Sequence, residues 1–116
     1  MDVTRTRLRA AITGLGLVSP LGNDTRTTWE ALLSGRTGIA PVKTFDASGF
    51  PVRIGAEVKG FDSRAIVEDR KLLKFSNRYQ GFALGAAEEA IRDAGIRPEN
   101  ASAARWGCVE IGRAHV

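Results

Sequence analysis

The chain has 116 residues, 43% hydrophobic and 26% charged, the balance of a soluble globular protein holding one domain or part of one. Its 17 Lys and Arg against 13 Asp and Glu give a net charge of +4. This mild basicity favours an acidic partner, and without a Lys/Arg run interleaved with aromatics it argues against nucleic-acid binding. The single cysteine, Cys108, excludes an internal disulfide and fits a reducing cytoplasm, and no apolar run is long enough to span a membrane.

Arg5, Arg7 and Arg9 precede the apolar run Ala10 to Val18, a polarity shared with secretory leaders. Thr13, Gly14 and Gly16 interrupt that run and no small-x-small cleavage site follows closely, so it is not read as a signal peptide. Ala10 to Gly14 is expected instead to be a short buried strand. Pro20, Gly22 and Asn23 mark a loop, and Asp24 or Thr25 supplies an N-cap oxygen for a following helix. Trp29, Leu32 and Leu33 fall at helical spacing, and Gly35 is the expected residue just past that helix.

Thr37 to Pro51 is expected to be irregular, broken by Gly38, Pro41, Gly49 and Pro51. Val52 to Val58 alternates weakly, as a short strand or hairpin arm does. Gly60-Phe61-Asp62 reads as a turn, with Asp62 or Ser63 capping a short helix. A long helix is expected from about Phe75 to Ala94, its apolar face made by Tyr79, Phe82, Ala83, Ala86, Ala90, Ile91 and Ala94. Gly81 and Gly85, four apart within it, point to close approach by another backbone, since each costs a helix interior about 1 kcal/mol. Gly95 and Pro98 end that helix, and Trp106 to Val109 reads as a second buried strand that makes Cys108 a small core hydrophobe. Alternation of strands and helices gives an α/β pattern.

The strand, glycines and helix around Gly14 and Gly16 raise a nucleotide-binding reading. That reading needs a helix opening at the last glycine and an acidic residue about 20 positions on, at the end of a second strand. Ser19 to Asn23 intervene before the helix, and the stretch after Gly35 has no strand to carry the acid. A nucleotide-binding α/β module therefore stays only as a distant alternative, and Gly14 and Gly16 are taken to permit a tight exit from a buried strand.

The same residues carry a resemblance. Ile12 to Ile39, ITGLGLVSPLGNDTRTTWEALLSGRTGI, resembles the opening of the elongating, thiolase-like β-ketoacyl-acyl-carrier-protein synthases. That family opens with a strand, T-G-x-G-x-x-(S/T)-P-x-G, a helix bearing a Trp, and L-x-x-G-x-(S/T)-G-I. Thr13, Gly14, Gly16, Ser19, Pro20, Gly22, Trp29, Leu32, Gly35, Gly38 and Ile39 match it. Phe61 to Ile96 is similar to the family's long helical stretch, and Arg105 to Val109 to its following strand.

The resemblance implies an incomplete N-terminal part of a layered α/β/α thiolase-like fold. It implies a decarboxylative Claisen condensation of an acyl thioester with malonyl on an acyl carrier protein, in fatty-acid or polyketide synthesis. A non-catalytic, chain-length-factor-like partner subunit is the alternative, and a full-length homodimer or ketosynthase-like heterodimer is the expected assembly. No cofactor or metal is expected, the substrates riding on the carrier's phosphopantetheine. The family's nucleophilic Cys and two His lie downstream of the matched positions. Cys108 does not stand in the family's T-A-C-x-S elbow, so no catalytic residue is assigned to this chain.

Docking of the acidic carrier is assigned, again through the resemblance, to Arg70, Lys71, Lys74 and Arg78. Lys71 and Lys74 would share a helix face that Arg78 extends by one turn, while Phe75 stands where relatives often carry another basic residue. After Gly-Cys-Val the family continues V-G-(S/T)-G, whereas Ile111 to Val116 reads as one frame of a common short-read sequencing adapter. Residues 1–109 are therefore expected to be the family portion and 110–116, with the only histidine, His115, a non-native tail.

Overall fold

Both glycine-terminated helices are present in the computed structural model, which describes residues 9–67, 70–97, 99 and 102–112. The first, α1 (Thr25–Leu33), starts at Asp24, whose carboxylate accepts from the Thr27 amide at 2.6 Å and from the Thr27 hydroxyl at 2.8 Å. Those two donors hold the Asp24 carboxyl below its ordinary value. The helix stops where Gly35 turns to φ +67°. Gly35 then donates to Leu32 O and Arg36 to Ala31 O, each at 3.0 Å, which satisfies the last carbonyls.

Residues 37–51 are not wholly irregular. Strand β1 (Ile39–Pro41) pairs antiparallel with β2 (Ile54–Ala56), Ile39 facing Ala56 and Pro41 facing Ile54. β2 lies within the expected Val52 to Val58 arm. The prolines mislead here because a two-stranded hairpin has free edges, where a missing N–H costs little. Glu57 closes its base by accepting from the Lys43 and Thr44 amides and the Thr44 hydroxyl. The Thr44 hydroxyl and Lys43 amide lead in holding its carboxyl below the ordinary value.

Asp62 caps a 3-10 turn (Ser63–Ala65) through Arg64 N at 3.0 Å. The single helix expected from Phe75 is two helices, α2 (Arg70–Phe75) and α3 (Arg78–Asp93). Asn77 makes the break. Its side chain accepts from Gln80 N at 3.1 Å while Gln80 Oε1 accepts from Asn77 N at 2.9 Å, a reciprocal capping box that fixes Asn77 in an extended conformation. The α3 end repeats the α1 end, with Gly95 at φ +66° and Ile96 donating to Ile91 O at 3.1 Å.

Small residues on α3 form two seams. Gly81 and Gly85 are buried, and a Cβ on Gly85 would lie 2.8 Å from the Phe61 ring. Their neighbours are thus side chains, Ser63 at Gly81 and the Phe61 ring at Gly85, where the sequence pointed to a backbone. Phe61 also meets Phe82 edge to face, centroids 5.1 Å apart. The backbone approach is on the other seam. A Cβ on Gly14 would stand 2.6 Å from Ala94 N, and one on Gly16 2.7 Å from Ala90 N, with the Ala90 and Ala86 carbonyls nearer still.

Residues 9–18 form no strand, and the expectation for Ala10 to Gly14 is corrected on that point. A strand needs a ladder partner, and the one two-stranded sheet among the described residues is β1 with β2. Leu15 N and Leu17 N donate instead to Asp93 Oδ2 and Glu89 Oε2, both at 2.9 Å. Trp106 to Val109 is likewise irregular and exposed, Val109 at 93%. Cys108 is exposed rather than a core residue, because no sheet reaches it to bury it.

Among the described residues only Ala31 and Ala47 are buried hydrophobics, and no large side chain is fully buried. The radius of gyration is 18.8 Å, against about 13 Å for a compact domain of this length.

Candidate functional site

The phosphate question is settled at the start of α1. A helix N-terminus can hold an anion because its first amides lack partners. Here two carboxylates of the chain take them. Asp24 accepts from Thr27 N, and Glu89, reaching over from α3, accepts from Thr25 N at 2.9 Å. The other Glu89 oxygen holds Leu17 N. A pyrophosphate placed there would meet negative charge and find those donors engaged. Gly14 and Gly16 serve the contact with α3 instead, and neither has a positive φ. Their role is packing, as the sequence indicated, but the reason is the helix backbone beside them rather than a tight strand exit.

Glu89 and Asp93 were not singled out in the sequence. The available signal was their spacing. They sit four apart and three positions after Ala86 and Ala90, which puts both carboxylates on the side of α3 that meets the glycines. One of them ties together three segments: residues 15–17, the first turn of α1, and α3.

The basic cluster is divided by the Ser76-Asn77 break. Arg70 opens α2. Lys71 and Lys74 are exposed on it, three apart and on one side. Arg78 belongs to α3 and does not extend that face, which corrects the one-helix expectation. Its Nη2 donates to Val58 O at 2.7 Å, and its guanidinium lies 5.6 Å from the Phe82 ring centroid. Arg78 thereby pins the segment after β2 to the first turn of α3. On α2, Leu73 is half-buried and turned to the body, while Lys71, Leu72, Lys74 and Phe75 are exposed. Phe75 is 88% exposed.

Among the described residues no group of three His, Cys, Asp or Glu could hold a metal ion. No described helix is long and apolar enough to cross a membrane.

Residues 8–114 match the family Beta-ketoacyl synthase, N-terminal domain. The 3-oxoacyl-acyl-carrier-protein synthase 2 of Coxiella burnetii is 45% identical over 104 residues, covering 90% of this chain and 25% of that protein. The tetracenomycin polyketide synthase ketoacyl synthase beta subunit of Streptomyces glaucescens is 47% identical over 88 residues, 76% of this chain and 21% of that protein. A solved structure titled the ishigamide ketosynthase/chain length factor superposes with a TM-score of 0.68 at 29% identity, over 77% of this chain and 22% of that one. The chain thus spans about a quarter or less of the length of these relatives.

Proposed function

The chain belongs to the β-ketoacyl synthase family, as part of a thiolase-like N-terminal domain, and we propose that it serves a synthase condensing an acyl thioester with malonyl on acyl carrier protein. The observation that supports this most is the agreement of sequence and packing at Gly14 and Gly16. The residues that carry the family signature are the ones whose backbone meets α3. In this reading the chain supplies scaffold and docking surface. The nucleophilic thiol, which takes the acyl group as thioester, and the two histidines, which assist loss of CO2 and stabilise the enolate, come from the rest of the synthase.

α2 presents Lys71 and Lys74 to the acidic carrier, Arg70 opens that helix, and Arg78 adds its charge from the start of α3 while holding the platform together. The carrier brings the substrates on its phosphopantetheine arm, and the synthase works in the cytoplasm as a dimer.

The likeness to a ketoacyl synthase beta subunit and to a ketosynthase/chain length factor structure favours a second reading, a partner subunit that sets chain length without condensing. One measurement separates them. The full-length protein, alone and purified, is given acyl and malonyl thioesters on acyl carrier protein, with CO2 release and the 3-oxoacyl product followed by mass spectrometry. Product from the protein alone is expected. Product only after a second ketosynthase subunit is added would overturn the first reading in favour of the second.

Docking is tested by Lys71→Glu with Lys74→Glu in the full-length protein. The expected result is a KM for carrier-bound substrate raised about ten-fold, with little change for a small thioester that needs no carrier. The effect should fade as salt screens the charges. Equal kinetics for both substrates in wild type and variant would refute docking through α2.

A further inference from the structure

From the exposed side of α2 we infer that Phe75 is an apolar anchor for the carrier protein, set among cations that steer it. The inference rests on the docking reading above. It is carried by the order of residues around a short helix. At about 100° per residue, Lys74, Lys71, Phe75 and Leu72 follow one another around one side, and Leu73 lies opposite. The burial agrees, with Leu73 half-buried and the other four exposed. Phe75 stands 88% clear of the protein and Leu72 59%. From Arg70 to Phe75, directly after Glu68 and Asp69, the sequence carries three cations and no acid.

A single exposed ring needs no explanation, but Phe75 and Leu72 stand side by side on this face and make an apolar patch, the kind of feature that marks an interaction site. Its neighbours say what kind of surface covers it. Two ammonium groups beside it repel a basic partner and draw an acidic one, so the complementary surface carries carboxylates around an apolar spot. A ring entering such a spot loses water and fixes the complex, whereas rim charges chiefly set the rate of encounter. The break at Asn77 gives the geometry. It ends α2 just past Phe75, so the ring sits at the helix terminus, clear of α3. A lysine at this position would strengthen attraction to any acidic protein. A phenylalanine selects among acidic carriers for those with an apolar spot in register.

Three variants of the full-length synthase test this: Phe75→Ala, Phe75→Leu, and the Lys71→Glu, Lys74→Glu pair. Each is assayed with carrier-bound and carrier-free thioesters at low and high salt. Phe75→Ala is expected to raise KM for carrier-bound substrate about ten-fold, leaving the carrier-free reaction unchanged. Its penalty should persist at high salt, where that of the lysine pair fades, and Phe75→Leu should restore most of the affinity. If Phe75→Ala matches wild type while the lysine pair is impaired, the anchor is overturned and charge docking stands. If neither variant changes KM, docking through α2 falls and takes the anchor with it. If Phe75→Ala slows both substrates alike, the ring supports the fold and the inference is wrong.

Discussion

Replacing Gly16 with alanine places one methyl group where α3 already is. The added Cβ would stand 2.7 Å from Ala90 N and 2.8 Å from the Ala86 carbonyl carbon, where carbon contacts settle near 3.5–4 Å. The obstructing atoms are helix backbone, so no side-chain rotation relieves the contact. Residues 14–17 must move off α3 by about 1 Å. Overpacking of this kind costs about 1–3 kcal/mol. The same movement strains the Leu17 N to Glu89 bond, 2.9 Å long, and a hydrogen bond to a charged group contributes about 1.5–3 kcal/mol. If that bond is lost, the expected total is about 2.5–6 kcal/mol. Gly49→Ala is the control, because nothing lies within 4 Å of its Cβ position and its φ is not positive. It should be neutral or stabilise by about 0.4–1 kcal/mol. Urea denaturation of the full-length synthase, followed by tryptophan fluorescence, measures both. Superimposable midpoints for Gly16→Ala and Gly49→Ala would refute the close-packing account of the signature glycines.

Asp24→Ala should cost about 1 kcal/mol by removing the α1 cap. The Asp24 carboxyl titrates below its ordinary value in the folded chain. The added stability of the charged form is therefore present above the unfolded-state value near 4 and is lost as pH falls through the folded one. The gap between wild type and Asp24→Ala should shrink below that window, and a gap unchanged between neutral and acid pH would contradict it. Expressed by itself, the 116-residue chain should bind a hydrophobic dye and show no sharp melt, since its described residues bury only Ala31 and Ala47 among the hydrophobics. A cooperative transition from a monodisperse monomer would count against that expectation.

Helices were legible in the sequence because their signals are local. Asp24, Gly35 and Gly95 act within one turn of the residues they cap, and each acts as expected. The Asn77 to Gln80 capping box was equally local, but the helix expected from about Phe75 to Ala94 ran across it. Strands were not legible in the same way. Ala10 to Gly14 and Trp106 to Val109 have strand composition, but pairing depends on a neighbour that composition does not specify. The reverse happened at Pro41, where an unfavourable residue sits in a strand because Ile54 faces it. The docking residues were assigned from family likeness, and of that assignment the structure bears only on placement: Lys71 and Lys74 lie on one helix. Arg78 was misplaced because a one-residue cap decides whether two cations share a helix.

The glycine signature and the exposed side of α2 are linked through α3. Its alanines accept the backbone of residues 14–16, and its carboxylates hold Leu15, Leu17 and the first turn of α1. At the other end, Gly81 and Gly85 receive Phe61, while Arg78 fastens the helix to Val58. α3 is thus anchored along its length, and its N-terminus is set by Asn77 and Gln80. Whatever precedes Asn77 must leave in a fixed direction, because the capping box determines the backbone there. α2 is the element that leaves. It keeps one side against the body through Leu73 and turns Lys71, Lys74 and Phe75 outward. A partner that grips those side chains acts on a short helix joined directly to α3. Its pull is therefore borne by the contacts that hold residues 14–17, and if the proposed docking through α2 is right, Gly16→Ala should raise KM for carrier-bound substrate as well as lower the urea midpoint.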